Sequence, residues 1–303
     1  MYGIQQEVNR DGFSEAESID LIRLRYSQHQ LNEMLKTEQF RIPIHLAFGH
    51  EAAAVGMDLT MQADDVLCLS HRNVAYNLAR SKSLDTVLKH YRMEQRPDRI
   101  AQMASMNLAS DDTGIVYTSS ILGNNLAVAA GIAMNRKLME RPGIVFVVTG
   151  DGAMEEGVFW ETMIFARSHG LGLVIVVENN DYSMSSTIAQ RRSAIDLSLI
   201  CSGLGVSYHG ADGASLPAAK ATLAAARDNA SRHKVALVEL HVATFCQHAG
   251  PTPGWPDDPL RIALEDGLLL GNDPQDPLVH LYQTIGATEF DSLADMVMKG
   301  KLQ

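Results

Sequence analysis

Residues 143–182 read GIVFVVTGDGAMEEGVFWETMIFARSHGLGLVIVVENNDY. Two apolar runs rich in β-branched residues, at 143–149 and 171–177, are typical of buried parallel strands. Gly150-Asp151-Gly152 interrupts the first run, and apolar residues at helical spacing follow over 154–169. The stretch therefore predicts a strand, loop, helix, strand and loop. Both polar loops then lie at the carboxyl edge of a parallel sheet, where open α/β sheets bind ligands.

The residues in these two loops can bind a metal ion and a phosphate. Asp151 offers a carboxylate, Asn180 offers an amide oxygen, and a backbone carbonyl just beyond Asn180 could add a third oxygen. A small set of hard oxygen ligands suits Mg²⁺, which fills its other positions with phosphate oxygens and water. Gly152 lets the backbone approach a phosphate, and the start of the following helix offers free N–H groups to an anion.

The rest of the chain continues the alternation of strands and helices. Short apolar runs at 66–69, 206–211 and 235–242 predict further strands, and an Ala-rich helix is predicted over 215–233. This pattern predicts an α/β protein with a doubly wound parallel sheet and helices on both faces. Ser14 and Glu17 form a candidate capping box for a first helix. We divide the chain into a helical lead-in at 1–40, the α/β domain at 41–260 and a helical tail at 261–303.

Composition narrows the function classes. The 303 residues are 46% hydrophobic and 20% charged, and the net charge of −11 argues against a nucleic-acid partner. No apolar run approaches the roughly 20 residues that span a bilayer, and the first residues lack the apolar core of a signal peptide. The cysteines at 68, 201 and 246 are scattered, so free thiols in a reducing cytoplasm are expected.

The loop sequences resemble a known cofactor motif. Asn180 follows Asp151 by 180 − 151 = 29 positions, as in the thiamine diphosphate motif, and ENNDYSMSS resembles the alpha subunits of the pyruvate, branched-chain and acetoin dehydrogenases. The resemblance implies thiamine diphosphate and Mg²⁺ as cofactors, bound by the α/β domain in the fold of a diphosphate-binding domain. It implies Asp151, Asn180 and the carbonyl of Tyr182 as metal ligands. Gly150, Gly152 and Ala153 would lie beside the cofactor.

Other segments resemble the same family. His45 and Glu51 occupy a similar segment, in which the histidine lies near the diphosphate; a satisfied core histidine is the alternative for His45. Arg72 matches a phosphate-binding arginine, although it could instead be a surface residue paired with a carboxylate. The histidine that often follows that arginine in the family is absent, and His71 is a candidate substitute. By the same resemblance, Gly123 would let the chain pass close to the cofactor, and the backbone of Asn125 and the side chain of Leu126 would contact the aminopyrimidine ring.

The loop at 244–259 departs most from the family pattern. Phe245-Cys246 stands where the alpha subunits carry Tyr-Arg, and prolines are frequent. His248 lies near the position of the family's active-site histidine. A histidine that titrates near neutral pH can move protons to a substrate carbonyl, so we predict a catalytic role for His248. A solvated histidine without a role is the alternative.

The resemblance also indicates what this chain lacks. Thiamine chemistry needs a carboxylate on the aminopyrimidine ring, and Glu51 belongs to the wrong segment for that role. The glutamate is therefore expected from a beta-type subunit, in an α₂β₂ assembly. The predicted reaction is decarboxylation of a small-molecule 2-oxo acid or related acyl donor, with transfer of the bound acyl or aldehyde unit. A lipoyl carrier is a candidate acceptor.

Two alternatives stay open. GDGAMEEGVFWE and SSILGNNLAVAAGIA also resemble the amino-terminal half of transketolase, which predicts a split enzyme that transfers a two-carbon unit or forms an acyloin. The other alternative is a degenerate subunit that binds a partner and no cofactor.

Overall fold

The computed structural model describes residues 12–40, 42–93, 108–255 and 261–300. Its strands are β1 (Val66–Leu69), β2 (Ile115–Thr118), β3 (Val145–Gly150), β4 (Leu173–Asn179), β5 (Tyr182–Ser183), β6 (Ser186–Thr187), β7 (Ser207–Asp212) and β8 (Ala236–His241). Six of them form a parallel sheet in the order β2-β1-β3-β4-β8-β7, and β5 pairs with β6 as a small antiparallel hairpin. The prediction of a doubly wound parallel sheet is confirmed.

Helices flank this sheet. They are α1 (Glu15–Lys36), α2 (Glu51–Thr60), α3 (Val74–Ser81), α4 (Leu84–Tyr91), α5 (Asn124–Leu138), α6 (Gly157–His169), α7 (Ile188–Arg191), α8 (Leu197–Leu204), α9 (Leu216–Ser231), α10 (Pro277–Ile285) and α11 (Ala287–Met298). The predicted capping box is present, because Ser14 N–H donates to Glu17 Oε2 at 2.8 Å and Glu17 N–H donates to Ser14 Oγ at 3.3 Å. Within the described segments, no helix combines the length and apolar character needed to cross a bilayer.

The sheet separates two apolar cores. Successive side chains of β3 point to opposite faces, so Phe146 and Val148 enter one core while Val145 and Val147 enter the other. Residues of α1, α2, α3, α9, α10 and α11 complete the first core, and residues of α5, α6 and α8 complete the second. Helices therefore cover both faces, as predicted. Such burial explains the continuous apolar sequence of the central strands.

A buried charge network joins the first helix to the tail. Arg25 in α1 is fully buried; its Nε lies 2.6 Å from Glu51 Oε1, and its Nη2 lies 2.7 Å from Asp276 Oδ1. These two carboxylates raise the pKa of Arg25 against the opposing effect of burial. Glu51 also accepts the N–H of Gly49 at 2.8 Å, where φ is +98°. Glu51 therefore has a structural role in holding the turn that begins α2.

The structure differs from the predicted elements in three places. Residues Asp151–Glu155 form a 3-10 turn, so α6 begins at Gly157 rather than near Met154. The edge strand β2 was not predicted because it is partly exposed and lacks a continuous apolar run, and the β5–β6 hairpin was not predicted because two-residue strands show no periodicity. The three cysteines are free thiols, as expected. The division of the chain at residues 40 and 260 stays a prediction.

Candidate functional site

The loops at the carboxyl ends of five strands surround one cavity of about 260 Å³. Loops after β1, β2, β3 and β4 contribute directly, and His248 comes from the segment after β8. This is the edge at which parallel α/β sheets bind ligands. The predicted site residues that line the cavity are His45, Arg72, Gly123, Gly150, Asp151, Gly152, Asn180, Tyr182 and His248.

Three predicted site residues do not line the cavity. Asn125 is buried and donates its Nδ2–H to the carbonyl oxygen of Val148 at 2.8 Å, which ties α5 to β3. Leu126 is fully buried in the core between the sheet, α5 and α6. Ala153 is buried in the 3-10 turn. The structure thus gives these residues packing positions behind the cavity wall.

Asp151 is the most perturbed acid of the cavity. Its side chain is 1% exposed, and Oδ2 accepts a hydrogen bond from Nη2 of Arg191. The buried Oδ1 has no hydrogen-bond partner. Burial raises the pKa of Asp151 to about 6, although the Arg191 guanidinium acts in the opposite direction. A buried carboxylate oxygen without a partner is costly, so this position favours a cation.

Asn180 lines the same cavity as Asp151. Its Oδ1 accepts the N–H of Tyr182 at 3.2 Å, and its Nδ2–H donates to Oγ1 of Thr244 at 2.6 Å. The hairpin that starts at Tyr182 lies against Gly152, where an added Cβ would be 2.5 Å from Ser183 Oγ. Only glycine fits this approach. The carboxylate, amide and backbone oxygens form a donor set that suits Mg²⁺.

Three histidines lie together in the cavity. The ring centroids of His45, His71 and His248 are 4.8 to 5.0 Å apart. Burial and, to a smaller extent, the nearby Arg72 guanidinium lower the pKa values of His45, His71 and His248 to about 2, 3 and 4, respectively. All three rings are therefore neutral at pH 7 and can each donate one hydrogen bond and accept another. Arg72, whose Nη1 donates to the carbonyl oxygen of Leu46, is the adjacent positive charge.

Sequence reasoning missed other members of the site. His50 and Glu178 line the cavity, with His50 Nδ1 3.1 Å from Glu178 Oε1. Tyr76 donates its O–H to the same Glu178 oxygen at 2.8 Å. Glu178 precedes Asn180 by two residues at the end of β4, and this period of two was the signal that could have placed both on one side. Among the residues lining the cavity, the acids are Asp151 and Glu178, and both have partners.

The mouth of the cavity is apolar and exposed. Ile121 is 69% exposed and Met184 is 60% exposed, and both also line the cavity. Leu122 and Tyr182 continue this surface at 45% and 54% exposure. We call these four residues the rim. An apolar patch around a polar cavity is characteristic of an interaction surface.

Comparison with known proteins agrees with this architecture. Residues 20–249 match the family model described as "Dehydrogenase E1 component". The pyruvate dehydrogenase E1 component subunit alpha-1 of Arabidopsis thaliana, a mitochondrial protein, is 25% identical over 245 residues, 80% of this chain and 62% of that protein. The corresponding Rhizobium meliloti subunit alpha is 25% identical over 189 residues, and the Schizosaccharomyces pombe subunit is 27% identical over 175 residues.

These matches cover part of each relative. The aligned segments span 42%, 53% and 62% of the Schizosaccharomyces, Rhizobium and Arabidopsis subunits. Transketolase from Campylobacter jejuni is similar in fold, with a TM-score of 0.59 and 15% identity, over 75% of this chain and 38% of that one. That likeness shows the fold alone. The family model, in contrast, spans most of the sequence, and its match ends just after His248. The chain therefore belongs to the dehydrogenase E1 component family.

Proposed function

We propose that this chain is the alpha-type subunit of an enzyme that depends on thiamine diphosphate and Mg²⁺. The enzyme cleaves a carbon–carbon bond next to a carbonyl, by decarboxylation of a 2-oxo acid or related acyl donor, and transfers the acyl or aldehyde unit. The observation that carries this proposal is the unpartnered, buried Oδ1 of Asp151 in the cavity that Asn180 also lines. Such a position is costly in the free chain and becomes favourable when a divalent cation binds.

The residues of the cavity fit the two cofactors. Asp151, the side chain of Asn180 and the carbonyl of Tyr182 would hold Mg²⁺, and the backbone at Gly152 together with Arg72 would hold the diphosphate. When bound, thiamine diphosphate supplies a nucleophilic carbon and accepts the electron pair left by bond cleavage. The chain's own residues bind and orient the cofactor and keep water out of the cavity.

The neutral histidines give the site its proton chemistry. Burial lowers the pKa of His248 to about 4, so it does not titrate near neutral pH as the sequence-based prediction assumed. The neutral ring can still donate its N–H to a substrate carbonyl oxygen and accept a proton at its other nitrogen. His45 and His71 lie within 5 Å of it, ring centre to ring centre, and can share this task. Their depressed pKa values keep them neutral across the physiological range. We assign proton transfer to His248 and binding of the diphosphate to His45.

A beta-type partner subunit would complete the site in an α₂β₂ assembly. Arg191 already contacts Asp151, and Tyr76 and His50 contact Glu178, so neither lining acid is available for the aminopyrimidine ring. The exposed apolar rim, at Ile121, Leu122, Tyr182 and Met184, gives such a partner a surface beside the cavity. We place the missing glutamate on that partner. A lipoyl carrier is the acceptor expected for an oxidative route, and the cytoplasm is the expected compartment.

A second function is transfer of a two-carbon unit between ketoses or the formation of an acyloin. The cluster of three neutral histidines favours this alternative, because neutral ring nitrogens can bind the hydroxyl groups of a polyhydroxylated donor. The absence of an arginine at Phe245-Cys246 points the same way, since a carboxylate substrate would benefit from that charge.

Calorimetry tests the cofactor assignment. Wild-type chain should bind thiamine diphosphate only when Mg²⁺ is present, more tightly with the partner subunit, and Asp151→Ala should lose this binding. Asp295→Ala, on the exposed surface of α11, is the matched control and should bind like wild type. Assays of the assembled enzyme with 2-oxo acids and with ketoses then separate the two reactions. No Mg²⁺-dependent binding in either state would leave a degenerate subunit with the fold and without the chemistry.

A further inference from the structure

An asparagine that binds a cation must present its oxygen and not its amide nitrogen. The two ends of the Asn180 side chain have different partners: Nδ2–H donates to Thr244 Oγ1 at 2.6 Å, and Oδ1 accepts the N–H of Tyr182 at 3.2 Å. If the amide turned over, its NH₂ group would face the Tyr182 N–H, which is a donor facing a donor. Thr244 and Tyr182 together therefore select one orientation of the amide.

Thr244 excludes the turned amide only if its own hydroxyl proton is already donated to another acceptor. A free hydroxyl proton could instead bond the oxygen of the turned amide. The Thr244 oxygen accepts from Asn180, and its other neighbour is His50 Nε2 at 2.8 Å. A hydroxyl carries a single proton, so Thr244 donates it to His50 when Nε2 is the unprotonated nitrogen. The tautomer of His50 thus determines whether the Thr244 proton is committed to His50 or is available to the oxygen of a turned Asn180 amide.

Glu178 favours the required tautomer. His50 Nδ1 is 3.1 Å from Glu178 Oε1, and an unprotonated Nδ1 would place a lone pair against this carboxylate oxygen. A proton on Nδ1 removes that repulsion and leaves Nε2 as the acceptor for Thr244. Tyr76, which is 1% exposed, donates its O–H to the same oxygen at 2.8 Å and holds the carboxylate in place.

We propose that Glu178, His50 and Thr244 are positioning residues that hold the amide oxygen of Asn180 toward the cation. Asn180 Nδ2–H donates to Thr244 and Thr244 Oγ1–H points to His50 Nε2, while Glu178 Oε1 lies 3.1 Å from His50 Nδ1 without hydrogen-bond geometry and acts on the His50 tautomer electrostatically. The four residues come from three segments: the start of α2, the end of β4 and the loop after β8. This inference rests on the proposed function, because it assigns Asn180 to Mg²⁺.

Measured Mg²⁺ affinity tests this positioning role without any turnover. Calorimetry with Mg²⁺ at saturating thiamine diphosphate, on the chain with its partner subunit, should show Thr244→Val binding Mg²⁺ about 10- to 100-fold more weakly, the range typical when a group that orients a metal ligand is lost. Thr244→Ser keeps the hydroxyl and should restore binding to within threefold. Thr252→Val removes a buried hydroxyl of the same loop, bonded to the Ala249 carbonyl, and should leave Mg²⁺ affinity unchanged.

Repeating the Thr244→Val measurement in an Asn180→Asp protein shows whether Thr244 acts by orienting the amide of residue 180 or only by supporting the loop after β8. In Asn180→Asp the two carboxylate oxygens are equivalent, so turning the side chain over changes nothing for the cation. Thr244→Val should therefore cost less than threefold in Mg²⁺ affinity in the Asn180→Asp background. An equal loss in both backgrounds, or no loss in the Asn180 background, would overturn this positioning role while the proposed function stands. A wild type that binds no Mg²⁺ and thiamine diphosphate would overturn both.

Discussion

Arg191 is bonded to one oxygen of the carboxylate that a cation at Asp151 would bind. Its Nη2 donates to Asp151 Oδ2 and its Nη1 donates to Glu155, and the Arg191 side chain is 12% exposed. Mg²⁺ that binds the free Oδ1 must therefore share the Asp151 carboxylate with the guanidinium on Oδ2, and the two positive charges compete for it. We predict that Arg191→Gln tightens Mg²⁺ binding, because the substitution removes the competing charge and leaves Asp151 with a neutral neighbour.

The size of this effect is limited by the Arg191–Asp151 hydrogen bond that the cation weakens. A hydrogen bond between charged groups contributes about 1.5–3 kcal/mol, and Arg191 also keeps its contact with Glu155, so at most one such bond is lost. Since about 1.4 kcal/mol is a factor of ten in affinity, the Mg²⁺ dissociation constant should fall by up to about 150-fold. This gain in Mg²⁺ affinity should decrease only slightly as the salt concentration rises, because the Arg191–Asp151 pair is largely buried.

The assay is titration of the chain with Mg²⁺ by calorimetry at pH 8, where Asp151 is ionised. Arg192→Gln is the matched control. Arg192 Nε lies 3.2 Å from Glu155 Oε1, and Arg192 makes no hydrogen bond with Asp151. The Mg²⁺ affinity of this control should stay within threefold of wild type. An Arg191→Gln chain that binds Mg²⁺ no better than Arg192→Gln would refute the competition. In that case Arg191 would stay on the carboxylate, or move to the diphosphate, as part of the loaded site.

Three further outcomes are expected. The affinity for Mn²⁺ in the absence of thiamine diphosphate, measured by electron paramagnetic resonance, should fall about tenfold for each pH unit below about 6. Burial raises the pKa of Asp151 to about 6, so protons compete with the cation below that pH. Arg25→Met should lower the free energy of unfolding by about 3–5 kcal/mol in urea titrations, because two buried carboxylates lose their counter-charge; the exposed Arg232→Met should change it by less than about 1 kcal/mol. Gly49→Ala should lower the free energy of unfolding by at least ~2 kcal/mol, because φ is +98° and the new Cβ would lie 2.1 Å from a backbone oxygen. The control Gly131→Ala, in open space within α5, should raise the free energy of unfolding by about 0.5–1 kcal/mol.

Each of these outcomes has a clear contrary result. A Mn²⁺ affinity that stays constant between pH 5 and 6 would exclude Asp151 as the ligand that competes with protons. Equal losses for the Arg25 and Arg232 substitutions would show that the buried carboxylates find other partners. A Gly49→Ala chain as stable as wild type would mean that the turn before α2 can relax without cost.

The central strands could be predicted because burial on both faces of the sheet allows only a continuous apolar sequence. The runs at 143–149 and 171–177 became β3 and β4, buried on both faces between helices, and such strands need apolar, β-branched residues throughout. The start of α6 was placed too early, since a 3-10 turn and an α-helix share the same local sequence preferences at their first residues. The edge strand β2 is short and partly exposed, so no apolar pattern marks it.

Only those site residues that belong to a short sequence motif could be predicted. Asp151 and Asn180 each follow a buried strand, and parallel strands bring their carboxyl ends to one edge. Thr244 and Arg191 could not be found in this way, because each reaches the site across a loop and contacts a residue 64 or 40 positions away in the chain. The side chain of Asn125 is buried and donates to the Val148 carbonyl, a contact that no sequence pattern marks, while the predicted role of its backbone stays a prediction.

The Arg25 network has a consequence for how the protein is made. Arg25 receives its first carboxylate from Glu51, but Asp276 lies 251 positions further along the chain. During synthesis, the first helix is therefore exposed long before its second counter-charge emerges from the ribosome. At about 5–20 residues per second, this delay lasts on the order of ten seconds or more. The buried ion network that joins α1 to the tail therefore cannot be complete until nearly the whole chain has been synthesised.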